Sequence, residues 1–167
     1  MRITTLFPAV VGLEFESEEE AKMTFVRDLL QGKPADVWSI GPRDSVYKAL
    51  EFMAEKNIGA LPVVEGGNLV GMFSERDYAR KVILVGKSSR ATAVEEIMSH
   101  PVFCVEPDDT LETCMELMTA KHIRHLPVCG GDPLLGMVSI GDVLKSVIAK
   151  QQVLIKDLEN YIVGARS

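Results

Sequence analysis

Apolar residues fall in the same rhythm twice along this chain. Val46, Ala49, Leu50 and Met53 sit at i, i+3, i+4 and i+7, and Leu111, Cys114, Met115 and Met118 repeat that spacing. Each set predicts one apolar face of a helix. A short apolar run precedes each helix, Val37–Ile40 and Val102–Val105, ended by Pro42 and Pro107. These read as brief strands, and Asp44 and Asp109 then stand where helix N-caps are expected. After each helix come two strand-like runs around a Gly-bearing turn. In the first copy they are Leu61–Val64 and Leu69–Phe73 about Glu65-Gly66-Gly67-Asn68; in the second, Leu126–Cys129 and Leu134–Val138 about Gly130-Gly131-Asp132-Pro133. Glycine supplies the positive φ that such turns require. A second helix is expected from about Glu75 and from about Ile140.

A shift of 65 positions aligns Val37–Val85 with Val102–Lys150 without a gap, giving 18 identities in 49 pairs. Pro42 meets Pro107, Asp44 meets Asp109, Leu61-Pro62-Val63 meets Leu126-Pro127-Val128, and Gly71-Met72 meets Gly136-Met137. Ser74 and Asp77 fall on Ser139 and Asp142. Two copies are too few for a solenoid, so a duplicated β-α-β-β-α unit that buries one copy against the other is expected. The fold class is α/β (α+β), two units packed as a pseudo-two-fold pair. Boundaries drawn from the pattern give an N-terminal segment with a helix (1–33), a first domain (34–89), a second domain (90–150) and a helical extension (151–167). Ser17-Glu18-Glu19-Glu20 resembles a capping box opening a helix that Gly32 and Pro34 close, and Thr92-Ala93-Val94-Glu95 resembles a cap on a short linker helix. The last helix is expected to reach about Val163. Its Leu154, Leu158 and Ile162, four apart, form a stripe suited to a partner or to the N-terminal helix.

At 167 residues, 47% hydrophobic and 25% charged, the chain has the composition of a folded globular protein. A net charge of -6 disfavours nonspecific binding to nucleic acid, though not a local cationic pocket for a small anion. No run approaches the roughly 18 apolar residues of a membrane span, Met1–Leu13 reads poorly as a leader, and a cytoplasmic location is the default expectation. Cys104, Cys114 and Cys129, without a C-x-x-C, read as small buried side chains in a reducing compartment.

The pattern of apolar strand, capped helix, Leu-Pro-Val strand, Gly-bearing hairpin and Gly-apolar-apolar-Ser-x-x-Asp opening a helix resembles the CBS domain, named for cystathionine β-synthase. Two in tandem resemble a Bateman module. Ser74-Glu-Arg-Asp-Tyr-Ala-Arg-Lys81 and Arg124-His-Leu-Pro-Val128 are similar to stand-alone bacterial two-CBS proteins, and the likeness covers about Lys33 to Lys150. It implies clefts between paired domains that take an adenosyl ligand (AMP, ADP, ATP, or NAD or S-adenosylmethionine), and it implies frequent homodimers.

The residues themselves offer chemistry for such a ligand. A helix start presents free N–H groups and a partial positive dipole, which favour phosphate. Ser74 is suited to donating to a phosphate oxygen, Arg76 to forking onto it, and Asp77 to accepting from a ribose diol. Ser139 and Asp142 repeat this without the arginine. Ser-x-x-Asp is equally a helix-capping motif, and the two roles are compatible. A base needs an apolar slot, and Ile58, Gly59, Ala60, Leu61 and Pro62, with Ile123, Arg124, His125, Leu126 and Pro127, lead into the middle strands opposite Val37 and Ser39 or Val102. Arg76 in one copy and Arg124-His125 in the other are expected to converge on one phosphate-rich zone if the copies pack two-fold. His122 and His125 have no third ligand at metal spacing, no metal site is expected, and no nucleophile motif or Walker loop is present. A non-catalytic regulatory module sensing energy or redox state is the leading expectation, and a dimerisation module with vestigial sites is the alternative. The regulated partner is not named by the sequence.

Overall fold

Each repeat is organised around a hairpin. β1 (Ala60–Glu65) pairs antiparallel with β2 (Asn68–Ser74), and β3 (His125–Cys129) pairs antiparallel with β4 (Leu134–Ser139). The ladders begin at equivalent pairs, Ala60 opposite Ser74 and His125 opposite Ser139, and shift register at the same place, Val63/Val64 and Val128/Cys129. Gly66 and Gly67 make the first turn with φ of 57° and 86°, a region costly for other residues. The computed structural model describes residues 24–31, 33, 37–131 and 133–164. The Ser17–Glu20 cap, with Gly32 and Pro34, lies outside them.

The helices are α1 (Val26–Leu30), α2 (Val46–Lys56), α3 (Glu75–Tyr78), α4 (Leu111–Lys121) and α5 (Ile140–Gly164). α3 continues as a wider π turn over Ala79–Ile83, and a 3-10 turn spans Val94–Glu96. α2 and α4 match the two periodic apolar faces: Val46, Ala49 and Met53 are buried in one, Leu111, Cys114 and Met118 in the other.

Three local expectations change. The N-caps are Ser45 and Thr110, whose side chains accept from Lys48 N and Thr113 N at 3.2 Å. Asp44 and Asp109 instead fold the preceding turn, accepting from Gly41 N at 2.9 Å and Glu106 N at 2.8 Å, a short carboxylate bonding its own backbone. The first strands shrink to single parallel bridges, Ile40 to Val63 and Val105 to Val128, because Pro42 and Pro107 follow at once and carry no N–H to extend a ladder. Thr92 is not the linker cap. Ala93 N donates to Glu96 Oε1 at 2.9 Å one residue later, while Thr92 is buried and its carbonyl accepts from Val46 N.

Two cores form, one per copy. The first gathers Ile40, Val46, Ala49, Met53, Leu61, Val63, Phe73 and Val82; the second gathers Val105, Leu111, Cys114, Met118, Leu126, Val128, Val138 and Val143. Each is completed by the segment that precedes the other copy. Val26 of α1 packs into the second core, and Val94 with Ile97 into the first. Backbone bonds repeat the exchange: Val26 N and Arg27 N donate to Asp109 O and Pro107 O, as Val94 N and Glu95 N donate to Asp44 O and Pro42 O, all at 2.9 Å. The pair is therefore interlocked with pseudo-two-fold symmetry. Beyond Lys150, α5 runs exposed, and Leu154, Leu158 and Ile162 are each about half accessible.

Phe73 is fully buried at the centre of the first core. Phe73→Ala is expected to cost about 3–5 kcal/mol, read as a lower midpoint in urea denaturation at unchanged slope.

Candidate functional site

The two-fold packing opens two clefts, and each takes its helix start from one copy and its facing loop from the other. The first cleft, of about 410 Å³, is lined by Ser74, Glu75, Arg76 and Asp77 of copy one, by Val102 and Phe103, and by Lys121, His122, Ile123, Arg124 and His125 of copy two. The second, of about 570 Å³, is lined by Ser139 and Asp142 of copy two, by Val37 and Trp38, and by Asn57, Ile58, Gly59 and Ala60 of copy one, with Lys33 and Leu30 at one side. Both volumes fall in the range of small-molecule sites.

Gly59, Ala60 and His125 line both clefts and form the wall between them. A Cβ on Gly59 would stand 3.5 Å from His125 Cε1 and 3.5 Å from Glu75 Oε2, so the copies touch closely here. Burial pushes the His125 imidazole below its ordinary pKa. Asp142 and Glu75 pull the other way, and Lys33 and Arg124 add to the lowering.

Both Ser-x-x-Asp sequences close as capping boxes. Ser74 Oγ accepts from Asp77 N at 3.3 Å, and Asp77 Oδ2 accepts from Ser74 N at 3.0 Å and from Ser74 Oγ at 2.6 Å. Ser139 and Asp142 repeat this at 3.3, 2.7 and 2.6 Å. The loop carbonyls of Gly59 and Arg124 accept from the first helical N–H groups, Glu75 N and Ile140 N. The hydroxyls are thus turned toward the carboxylates, and a phosphate would compete for them. Asp77 is the more occupied acid, because its Oδ1 also accepts from Ser99 Oγ at 2.9 Å and pairs with Lys81 Nζ at 2.8 Å. Asp142 instead meets Lys33, whose Nζ donates to Oδ2 at 2.6 Å and to Met137 O at 2.8 Å.

Cations from both copies converge in the first cleft. Arg76 Nη1 donates to His122 O at 2.6 Å across the interface, and Arg124 and Lys121 line the same space. The second cleft has Lys33 in that role.

Of the residues singled out in the sequence, Ser74, Arg76, Asp77, Val102, Ile123 and Arg124 meet in the first cleft. Val37, Ile58, Ser139 and Asp142 meet in the second. Leu61, Pro62, Leu126 and Pro127 do not line either cleft; they are buried strand residues beneath them. Ser39 lies instead in a separate groove with Asp44, Lys48 and Glu51.

Two aromatic residues escaped the sequence reading. Trp38 and Phe103 occupy equivalent positions in the 65-residue register, each partly exposed on a cleft wall. Each lies under an equivalent lysine: Lys56 Nζ is 5.6 Å from the Trp38 ring centre and Lys121 Nζ is 4.6 Å from that of Phe103, within cation–π reach. The shared register was the available signal. Among the described residues, no group of His, Cys, Asp and Glu could hold a metal ion, and no helix is long and apolar enough to cross a membrane.

The CBS domain family model matches residues 26–84 and 94–149. A mitochondrial CBS domain-containing protein of Arabidopsis thaliana is 37% identical, with the match covering 94% of this chain and 84% of that protein. A solved CBS-domain protein from Burkholderia ambifaria, described as acting in signal transduction, is 50% identical, with a TM-score of 0.74 over 77% of this chain and 96% of that one. A hexameric CBS-CP12 protein from bloom-forming cyanobacteria is 28% identical, with a TM-score of 0.65 over 73% of this chain and 71% of that one.

The Lys33–Asp142 pair ties the N-terminal segment to the second cleft. Burial alone would raise the Asp142 carboxyl, but the bonds from Lys33 and Ser139 outweigh it and hold the pKa below the ordinary value. A lowered folded value means that the unfolded chain binds the proton more readily. The stabilisation is full above about pH 4 and is lost as pH falls through the folded value. Lys33→Ala is expected to lower the melting temperature at pH 7, and the gap from the parent to be smaller at about pH 3, below the ordinary Asp value of about 3.9, where the unfolded chain already takes up the proton. Thermal melts of both proteins at the two pH values measure this.

Proposed function

This chain belongs to the CBS-domain family and carries two such domains in tandem, and from that premise we propose that it is a non-catalytic regulatory module that binds an adenine nucleotide between its copies. The convergence of Arg76, Lys121 and Arg124 on the first cleft carries the reading. A polyphosphate needs several cations in one partly desolvated space, and planar guanidinium forks suit its oxygens. The apolar remainder suits a base: Phe103 offers a stacking face and Ile123 an aliphatic edge in the first cleft, as Trp38 and Ile58 do in the second. ADP or ATP fits the more cationic first cleft, whereas AMP or NAD(H) makes fewer demands on charge. In this reading Asp77 or Asp142 takes the ribose hydroxyls. A ribose at Asp77 displaces Ser99 and Lys81, and one at Asp142 competes with Lys33.

Because each cleft is built from both copies, a ligand that prefers one relative setting of the copies shifts the population toward it. Energy or redox state would then reach a partner protein as a change of shape. The signal-transduction description of the Burkholderia relative supports a regulatory role.

A second reading, association as the main task, is favoured by the apolar residues left exposed on the helices. Ile83 after α3 and Leu144 and Ile148 on α5 are about half accessible. The hexameric cyanobacterial relative shows that a similar fold assembles. A homodimer through these helices is part of the proposal.

Isothermal titration of nucleotide-free protein with AMP, ADP, ATP and NADH tests the first reading, and absence of binding by all four at millimolar concentration refutes it. Arg76→Ala is expected to weaken ADP by about 10- to 100-fold, the cost of one charged hydrogen-bond donor. Unchanged ADP affinity removes the basis for placing phosphate in the first cleft. For the second reading, sedimentation of the parent is expected to give a dimer, and the double variant Leu144→Glu, Ile148→Glu a monomer. A parent that sediments as a monomer refutes it.

A further inference from the structure

Two sulfur atoms meet in the second copy where the repeat does not require them. Cys129 Sγ–H points at Cys104 Sγ across 3.0 Å, and both thiols are free. The equivalent positions in the first copy are Ser39 and Val64. The backbone holds the pair together. Val105 N donates to Pro127 O at 3.0 Å and Cys129 N to Val105 O at 2.9 Å, so the two cysteines flank the one parallel bridge of this copy among the described residues. Val105 pairs with Val128, so the two cysteines stand on one face, one residue to either side of that bridge rather than directly opposite, and the 3.0 Å between their sulfurs is what makes them neighbours. Closing to the covalent length of about 2.05 Å needs the sulfurs to approach by only about 1 Å.

Access differs among the three thiols. Cys104 is exposed, Cys129 is partly buried, and Cys114 is sealed in the second core. Burial pushes the Cys114 thiol up to about 11, and burial together with the adjoining Cys104 pushes Cys129 up to about 12. The exposed sulfur is therefore the one that a reagent in solution reaches first.

We infer that Cys104 and Cys129 are a reversible disulfide site, oxidised by exchange with a low-molecular-weight disulfide of the glutathione class, and that the bond ties a wall of the first cleft to β3. In the first step Cys104, as thiolate, attacks one sulfur of the small disulfide, forming a mixed disulfide and expelling one small thiolate. In the second, Cys129 gives up its proton and attacks the Cys104 sulfur, closing the intrachain bond and expelling the second small thiolate. Two protein thiols are oxidised, one small disulfide is reduced to two thiols, and the reverse exchange restores the start. Val102 and Phe103, which line the first cleft, immediately precede Cys104. The bond fixes that segment to the strand behind it. This inference stands apart from the nucleotide reading, since neither cysteine is assigned to a ligand.

The test exposes the full chain to glutathione buffers running from fully reduced to fully oxidised, traps free thiols by alkylation, and reads intact and peptide masses. The parent is expected to lose the Cys104 and Cys129 thiols together, with loss of two hydrogens, while Cys114 alkylates only after denaturation. Dithiothreitol should return both thiols. Cys129→Ser is expected to stop at a glutathione adduct on Cys104. A parent that keeps both thiols in fully oxidised glutathione, carries only adducts, or joins two chains overturns the site. Amide hydrogen exchange over 102–105 should slow in the oxidised protein, and equal rates in the two forms overturn the tie to the cleft wall.

Discussion

Val26 and Val94 each complete the hydrophobic core of the copy that lies across from the one they precede. That exchange is the constraint on which the rest of the structure depends. An isolated copy would expose the pocket that its missing valine fills, and burying such a side chain is worth about 1.5–3 kcal/mol. The accompanying backbone bonds to Pro42, Asp44, Pro107 and Asp109 fix the angle of approach as well as the contact. Two copies held this way have a defined pseudo-two-fold relation, and the clefts exist only because of it.

The symmetry is good in shape and broken in charge. Capping boxes, left-handed helix ends at Asn57 and His122, aromatic residues at Trp38 and Phe103, and lysines at Lys56 and Lys121 all recur at equivalent places. Arginine does not. Arg76 and Arg124 are unmatched in the alignment, facing Gly141 and Gly59, yet crossing the copies brings both to the first cleft. The second cleft receives Lys33 from the preceding segment, already paired to Asp142. A duplicated scaffold thus carries two clefts with unlike electrostatics, and His125 stands in the wall they share. The cysteine pair belongs to the same pattern, since it is another departure from the repeat beside the first cleft.

Much of this was legible in the chain itself. The 65-residue register, the helical faces of α2 and α4, the hairpins and the helix starts at Glu75 and Ile140 all follow from local periodicity and turn chemistry, which nearby residues specify. The capping boxes were legible for the same reason, with both partners three residues apart. Where the local reading slipped, an adjacent position won: Ser45 over Asp44, Thr110 over Asp109, and, through its backbone N–H to Glu96, Ala93 over Thr92. Pro42 and Pro107 marked the ends of the first strands, but not that the ladder would stop after one bridge.

The sequence by itself determined the elements, their duplication and the types of side chain available to a ligand, because these rest on interactions within a few residues. Only the tertiary structure decided which of those side chains share a space. Leu61, Pro62, Leu126 and Pro127 went beneath the clefts, Ser39 went to another groove, and Trp38, Phe103 and Lys33 came to the walls. Arg76 met the carbonyl of His122 46 residues away, and Cys104 met Cys129 across a strand pair. The meetings between copies depend on how two cores exchange their closing segments, and that is a property of the packed pair rather than of any stretch of chain.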